Sequence, residues 1–96
     1  MKKTYPKPFV HALSSVLDQL GLSRKIRQYQ VLEKWQSFVG EQIAKVAQAE
    51  RMDGGKLFVH VLNSTWRNEL VFLKKELIEK INNGMNQEIV KDIIFR

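Results

Sequence analysis

The chain has 96 residues, of which 44% are hydrophobic and 27% are charged, a composition typical of a globular protein rather than of a disordered tail. Sixteen Lys and Arg against ten Asp and Glu give a formal net charge of +6, and the absence of cysteine excludes disulfides and thiolate metal sites. No stretch approaches the roughly 20 apolar residues of a membrane-spanning helix, and the N-terminus lacks the apolar run of a signal peptide. We therefore expect one cytoplasmic domain over residues 1–96, with residues 1–7 flexible.

The first predicted element is a helix that starts close to Pro8, because proline fits the first helical turn, where N–H groups have no partner. Apolar residues then follow at spacings of three and four: Phe9, Val10, Leu13, Val16, Leu17 and Leu20. Gly21 can end this helix in the left-handed conformation. The apolar stripe either packs against Trp35 and Phe38 or stays exposed as a docking face for another protein.

A second helix is predicted from Ser23, a suitable N-cap, to Gly40. Its apolar positions again keep helical spacing: Ile26, Tyr29, Leu32, Trp35, Phe38 and Val39. This spacing assigns Trp35 to the structural core. Arg24, Lys25 and Arg27 fall in the first turn, where their positive charges oppose the helix dipole.

After a short turn at 41–45, the residues Asp53, Gly54 and Gly55 predict a tight hairpin, because its central positions require positive φ. The first strand, at about 46–52, is the less apolar one and is expected at an edge of the sheet. The second strand, 56–63, contains the run LFVHVL. Such a run is typical of a central strand with little solvent on either face.

A long helix is predicted next, because Asn63, Ser64 and Thr65 supply side-chain oxygens for its free N–H groups. One apolar stripe follows at spacings of four, three, four and four: Trp66, Leu70, Leu73, Leu77 and Ile81. The stripe assigns these residues to the structural core, and the alternative for Trp66 is a stacking platform for a base. The helix is expected to end near Asn82, Asn83 and Gly84, and a last strand is predicted at 90–95.

The predicted order is therefore helix, helix, strand, strand, helix, strand. Because one face of a three-stranded sheet must be covered by the helices, this order predicts a two-layer α+β domain. The pattern does not decide which edge of the sheet the last strand joins.

At this point the sequence resembles the DciA-like family, which was formerly described as a domain of unknown function. The residues that carry the resemblance are Trp35, Gly40, Ser64, Trp66, Glu69, Leu70, Asn82 and the terminal DIIFR. The resemblance implies a KH-like fold, a role as loader or accessory factor of the bacterial replicative helicase, and binding of single-stranded or forked DNA. The GXXG loop with which KH domains clamp nucleic acid is absent, so sequence readout through such a loop is not expected.

Clustered cations are the candidates for nucleic-acid contact, because they attract a polyanion. They form three groups, near the N-terminus, at the start of the second helix and on the outer face of the long helix: Lys2, Lys3 and Lys7; Arg24, Lys25 and Arg27; Arg67, Lys74 and Lys75. The alternative for the last group is an ordinary solvated face, since Lys75 and Glu79 have the i, i+4 spacing of a surface ion pair.

Catalysis, bound metal, a cofactor and a small-molecule substrate are not expected. His11 and His60 are the only histidines, and there is no nucleophile elbow, phosphate-binding glycine loop or ligand cluster around them. The expected function is that of a non-enzymatic module in DNA replication without membrane contact. An RNA-binding KH-like module and a protein adaptor for acidic partners are the alternatives.

Overall fold

The structure is a computed structural model that describes residues 4–96. The helices are α1 (Lys7–Gln19), α2 (Ser23–Glu33), α3 (Trp35–Val39), α4 (Glu41–Val46) and α5 (Ser64–Met85), and the strands are β1 (Ala47–Asp53), β2 (Lys56–Val61) and β3 (Asp92–Phe95). The α+β class and the three-stranded sheet covered by helices are confirmed. Four helices precede the first strand, where two were predicted. No helix among residues 4–96 combines the length and the hydrophobicity needed to cross a bilayer.

The predicted second helix is interrupted at Lys34, where φ of −97° and ψ of 8° separate α2 from α3. The apolar spacing continues through this break, so the sequence gives no signal for it. Gly40 has φ 92° and ψ 161°, a backbone conformation that residues other than glycine adopt only with strain. Here the chain turns into α4, a six-residue helix at the position of the short turn expected at 41–45.

Gly21 ends α1 as predicted, with φ 69°. The N–H of Leu22 donates to the carbonyl of Leu17 at 2.9 Å, which is the long hydrogen bond of a Schellman motif. However, α1 contains no buried residue, and none of its side chains is among those that pack against the core. Of the two alternatives for its apolar stripe, packing against Trp35 and Phe38 is therefore wrong, and the stripe is largely exposed.

β1 and β2 form the predicted hairpin, with Asp53 opposite Lys56 and Gly54 at φ 62°. The strand order is β1-β2-β3, so β1 is an edge strand as predicted, and β3 forms the other edge parallel to β2. β2 is central, but the expectation of little solvent on both of its faces is wrong. Leu57 and Val59 are fully buried, whereas His60 on the opposite face is exposed.

The core lies between the sheet and α5, with α2 and α3 alongside. Trp35, Leu70 and Leu77 are buried in it, and Leu73 packs against it. Trp66, which the same stripe assigned to the core, is 37% exposed and lies outside the buried cluster. The reason is length: α5 has 22 residues and β2 has six, which correspond to about 33 Å and about 20 Å. The sheet cannot cover every turn of the helix, and the first turn is left exposed.

The end of α5 differs from the prediction. The helix continues to Met85, and Asn86 adopts the left-handed conformation with φ 55°. Gly84 lies inside the helix, and a Cβ at this position would overlap the Phe38 ring. Glycine is therefore required here for close approach of α3 to α5 rather than for ending the helix. β3 begins at Asp92, two residues later than expected.

Candidate nucleic-acid interface

The first turn of α2 carries the second of the predicted basic groups. Arg24, Lys25 and Arg27 are all exposed there. The N-cap residue is Leu22 rather than the predicted Ser23, and it offers no side-chain acceptor. The first N–H groups of α2 therefore have no side-chain cap, and the helix dipole adds positive potential to that of the three cations.

Ser23 has a different role from the predicted cap. Its hydroxyl donates a hydrogen bond to the Asp18 carboxylate at the end of α1. This bond orders the turn between α1 and α2. It also places one negative charge beside the helix start and so partly offsets the cations.

A groove of about 520 Å³ runs along the start of α2. Arg24 and Arg27 line it from α2, and Lys91 lines it from the segment that precedes β3. Asp18 and Glu88 are also among its lining residues. The groove thus combines three cations with two carboxylates and an uncapped helix start.

The three cations of this groove, which we call the α2 cation site (Arg24, Arg27 and Lys91), carry no ion pair within the described part of the chain. Ion pairs at residues 4–96 involve other cations: Lys45 with Glu41, Lys74 with Asp92, and Arg96 with Glu50. The charges of the α2 cation site are therefore available to an external anion. Sequence reasoning did not include Lys91, because a single lysine far from the other two in the chain forms no cluster.

The basic group on α5 is divided in the structure. Arg67 is half-buried, and its Nε is inaccessible to solvent and has no hydrogen-bond partner among residues 4–96. Lys74 is half-buried and its Nζ lies 3.2 Å from Oδ1 of Asp92. Lys75 is exposed. Of the three side chains, Lys75 alone is both exposed and without an ion pair among residues 4–96.

The N-terminal basic group is described only in part. Lys2 and Lys3 lie outside the described residues, and Lys7 is exposed in the first turn of α1. The structure does not bring Lys7 into the groove at the start of α2, because Lys7 is not among its lining residues.

Apolar side chains are exposed on two helices. On α1, Phe9, Leu13 and Val16 are each about half exposed, at 51%, 48% and 49%. On the outer face of α5, Phe72 is 86% exposed. A helix with such a stripe normally buries it against a neighbouring element, but the core of the described chain does not include these residues.

Both histidines are exposed. His11 is exposed on α1, and His60 is exposed on β2 opposite Gln48. Within residues 4–96, no group of three or more His, Asp or Glu side chains is arranged to hold a metal ion.

Comparison with known proteins identifies the family. A family model described as "Dna[CI] antecedent, DciA" matches residues 8–95. The UPF0232 protein of Rhodococcus jostii is 28% identical over 88 residues, and the UPF0232 proteins of Mycobacterium tuberculosis and Mycobacterium bovis are 26% identical over 88 residues. Each alignment covers 92% of this chain and 47% of the relative, so the chain spans about half the length of the curated relatives that it matches. Because the family model covers nearly the whole sequence, the chain belongs to the DciA family.

Proposed function

We propose that this chain is a non-enzymatic module of bacterial DNA replication that binds DNA and contacts the replicative helicase. Membership of the DciA family supports the role in replication and the helicase as partner. The DNA contact is supported by one observation above all, the convergence of Arg24, Arg27 and Lys91 beside the uncapped start of α2.

The chemistry of this site suits phosphate groups. Free N–H groups at a helix start and the positive end of the helix dipole attract an anion. Arg24 and Arg27 add planar guanidinium groups that donate two parallel hydrogen bonds to phosphate oxygens. Contacts of this kind hold the sugar-phosphate backbone and carry no sequence information. The proposed binding is therefore independent of base sequence.

Replacing Arg24, Arg27 and Lys91 together by Gln is expected to weaken binding to single-stranded DNA and to flatten its salt dependence. Each phosphate contact contributes about 0.7 to the slope of log affinity against log salt, so three lost contacts lower the slope by about two. Fluorescence anisotropy of a labelled oligonucleotide at several salt concentrations measures both quantities. Stronger binding of RNA than of single-stranded or forked DNA at equal salt would instead favour the RNA-binding alternative.

The matched control removes three exposed lysines from other parts of the surface. Lys34, Lys45 and Lys80 are exposed, and their replacement by Gln changes the net charge by the same amount. We expect this control to retain most of the affinity and of the salt slope. An equal loss in the control would show that overall charge, not the α2 cation site, accounts for binding.

For the helicase contact we propose the exposed apolar face of α1. Phe9, Leu13 and Val16 lie on one side of this helix and are not part of the core. Contiguous apolar surface of this kind is typical of a site for a protein partner, and the centre of such a site is depleted in charge.

Leu13→Glu is expected to weaken binding to purified replicative helicase by about tenfold or more, which is the effect of losing one important interface residue. Surface plasmon resonance with immobilised helicase measures the dissociation constant. Ser14→Glu is the matched control, because it adds the same charge at the adjacent exposed position outside the apolar stripe. Equal helicase affinity of both variants would exclude α1 as the contact surface.

A further inference from the structure

A second and smaller groove lies between α2 and the edge strand β1. Its volume is about 210 Å³, which leaves room for one planar base. It is lined by Lys25, Gln28, Tyr29, Leu32, Arg51 and Met52. The lining includes two cations and no carboxylate, so the groove favours an anionic ligand. We refer to it as the Tyr29 groove.

The aromatic ring in this groove is accessible. Tyr29 is 61% exposed, although its position in the apolar stripe of α2 suggests a core residue. Leu32 and Met52 are half-buried against the core and supply the apolar part of the lining. An exposed ring beside an apolar surface and two cations is the combination with which proteins hold unpaired bases.

The walls of the Tyr29 groove are held by contacts outside it. The Gln28 side-chain amide donates to the carbonyl of Gly54 at 2.8 Å and so links α2 to the hairpin turn. The Arg51 guanidinium carbon lies 4.1 Å from the centre of the Phe58 ring, a cation–π contact that restrains this side chain at the sheet edge. Two of the six lining side chains are therefore restrained before a ligand binds, which lowers the entropy cost of binding.

We propose that the Tyr29 groove binds one unpaired base of a single-stranded nucleic acid, with the base stacked on Tyr29 and the adjacent phosphates contacting Lys25 and Arg51. This inference rests on the proposed function and adds a base contact to the phosphate contacts of the α2 cation site. Lys25 follows Arg24 directly in the chain, but the two residues line different grooves.

This arrangement makes the site selective for single strands. Every base offers a flat face to an aromatic ring, so stacking tolerates any sequence, but it requires a base that is not already stacked inside a duplex. The α2 cation site, in contrast, contacts phosphates that both single and double strands provide. Loss of the ring and loss of the cations are thus expected to change different properties of binding.

Tyr29→Ala is expected to lower affinity for a single-stranded oligothymidine by about 5- to 150-fold, the effect of one lost stacking contact. Affinity for a blunt duplex of equal length and the salt slope of single-strand binding are expected to stay unchanged, because no charge is removed. Tyr29→Phe keeps the ring and is expected to bind like the unchanged protein. Tyr5→Ala is the matched control, since it removes another exposed tyrosine, with 55% of its surface accessible.

Fluorescence anisotropy with both DNA forms measures these affinities, and circular dichroism checks that each variant remains folded. Unchanged single-strand affinity in Tyr29→Ala would overturn the base site while leaving the proposed phosphate contacts intact. An equal loss for single strand and duplex, or a comparable loss in Tyr29→Phe or Tyr5→Ala, would also overturn it. Failure of the unchanged protein to bind either form of DNA would overturn the base site together with the proposed DNA binding.

Discussion

Trp35→Ala is expected to destabilise the protein by about 3–5 kcal/mol, the range for truncation of a buried tryptophan. Trp35 is 5% exposed, and its indole Nε1–H donates to the carbonyl of Ala47 at 2.9 Å. The substitution leaves a cavity and also leaves this buried carbonyl, at the first residue of β1, without its partner. Since a small domain is stable by only about 5–15 kcal/mol in total, little stability would remain.

Urea denaturation of three variants tests this expectation. Trp35→Phe retains most of the apolar volume and loses the hydrogen bond, so we expect an intermediate cost of about 1–3 kcal/mol. Trp66→Ala is the comparison, because Trp66 is 37% exposed at the start of α5. We expect this substitution to lower the free energy of unfolding by clearly less, about 1–2 kcal/mol. Equal costs for Trp35→Ala and Trp66→Ala would contradict the difference in burial.

Asn82→Ala is expected to cost about 2–5 kcal/mol, because it removes three hydrogen bonds from partly buried backbone groups. The Asn82 side chain donates to the carbonyl of Val90 at 2.9 Å and accepts from the N–H groups of Ile89 at 3.1 Å and Val90 at 2.9 Å. Ile89 and Val90 are buried, so water does not readily replace the lost partner. Thermal or urea denaturation measures the cost.

Amide hydrogen exchange shows which part of the structure is destabilised in Asn82→Ala. In Asn82→Ala the amide protons of Ile89 and Val90 are expected to exchange faster than those of the central strand β2, since the segment before β3 loses its anchor. Asn83→Ala is the control on the adjacent, exposed position and should change stability by only about 0.5 kcal/mol or less. Unchanged protection of both amides in Asn82→Ala would contradict the assigned role.

Asn82 also connects stability with the candidate site. Lys91 follows Val90 directly, so the hydrogen bonds of Asn82 hold the segment from which Lys91 reaches the groove at the start of α2. Asn82 is one of the residues that carry the family resemblance, and its side chain bonds to the backbone of the segment before β3. The position of the segment that carries Lys91 therefore depends on hydrogen bonds from the last turns of α5.

Short sequence motifs were sufficient to predict several turns and helix ends. Asp53, Gly54 and Gly55 form the predicted hairpin, and Gly21 ends α1 in the left-handed conformation. Asn63 caps α5, with its Oδ1 accepting from the N–H of Trp66 at 2.9 Å. These features were predictable because backbone dihedrals and caps depend on residues within a few positions along the chain.

Burial and charge pairing were not predictable in the same way, because they depend on what lies opposite a side chain in space. Trp66 and Leu70 share one stripe, but only Leu70 faces the sheet and is fully buried. Lys74 and Lys75 are neighbours, but Asp92 on β3 pairs with Lys74 alone of the two.

The candidate interface could also be predicted only in part from the sequence. The basic group at the start of α2 is visible in the sequence, whereas its partner Lys91 comes from a segment more than 60 residues later. Tyr29 has the spacing of a core residue, and it is exposed because the packing of α2 against β1 leaves a groove there. The spacing of apolar residues predicts which side chains share a face of a helix. Whether that face is buried depends on how the helices pack on the sheet.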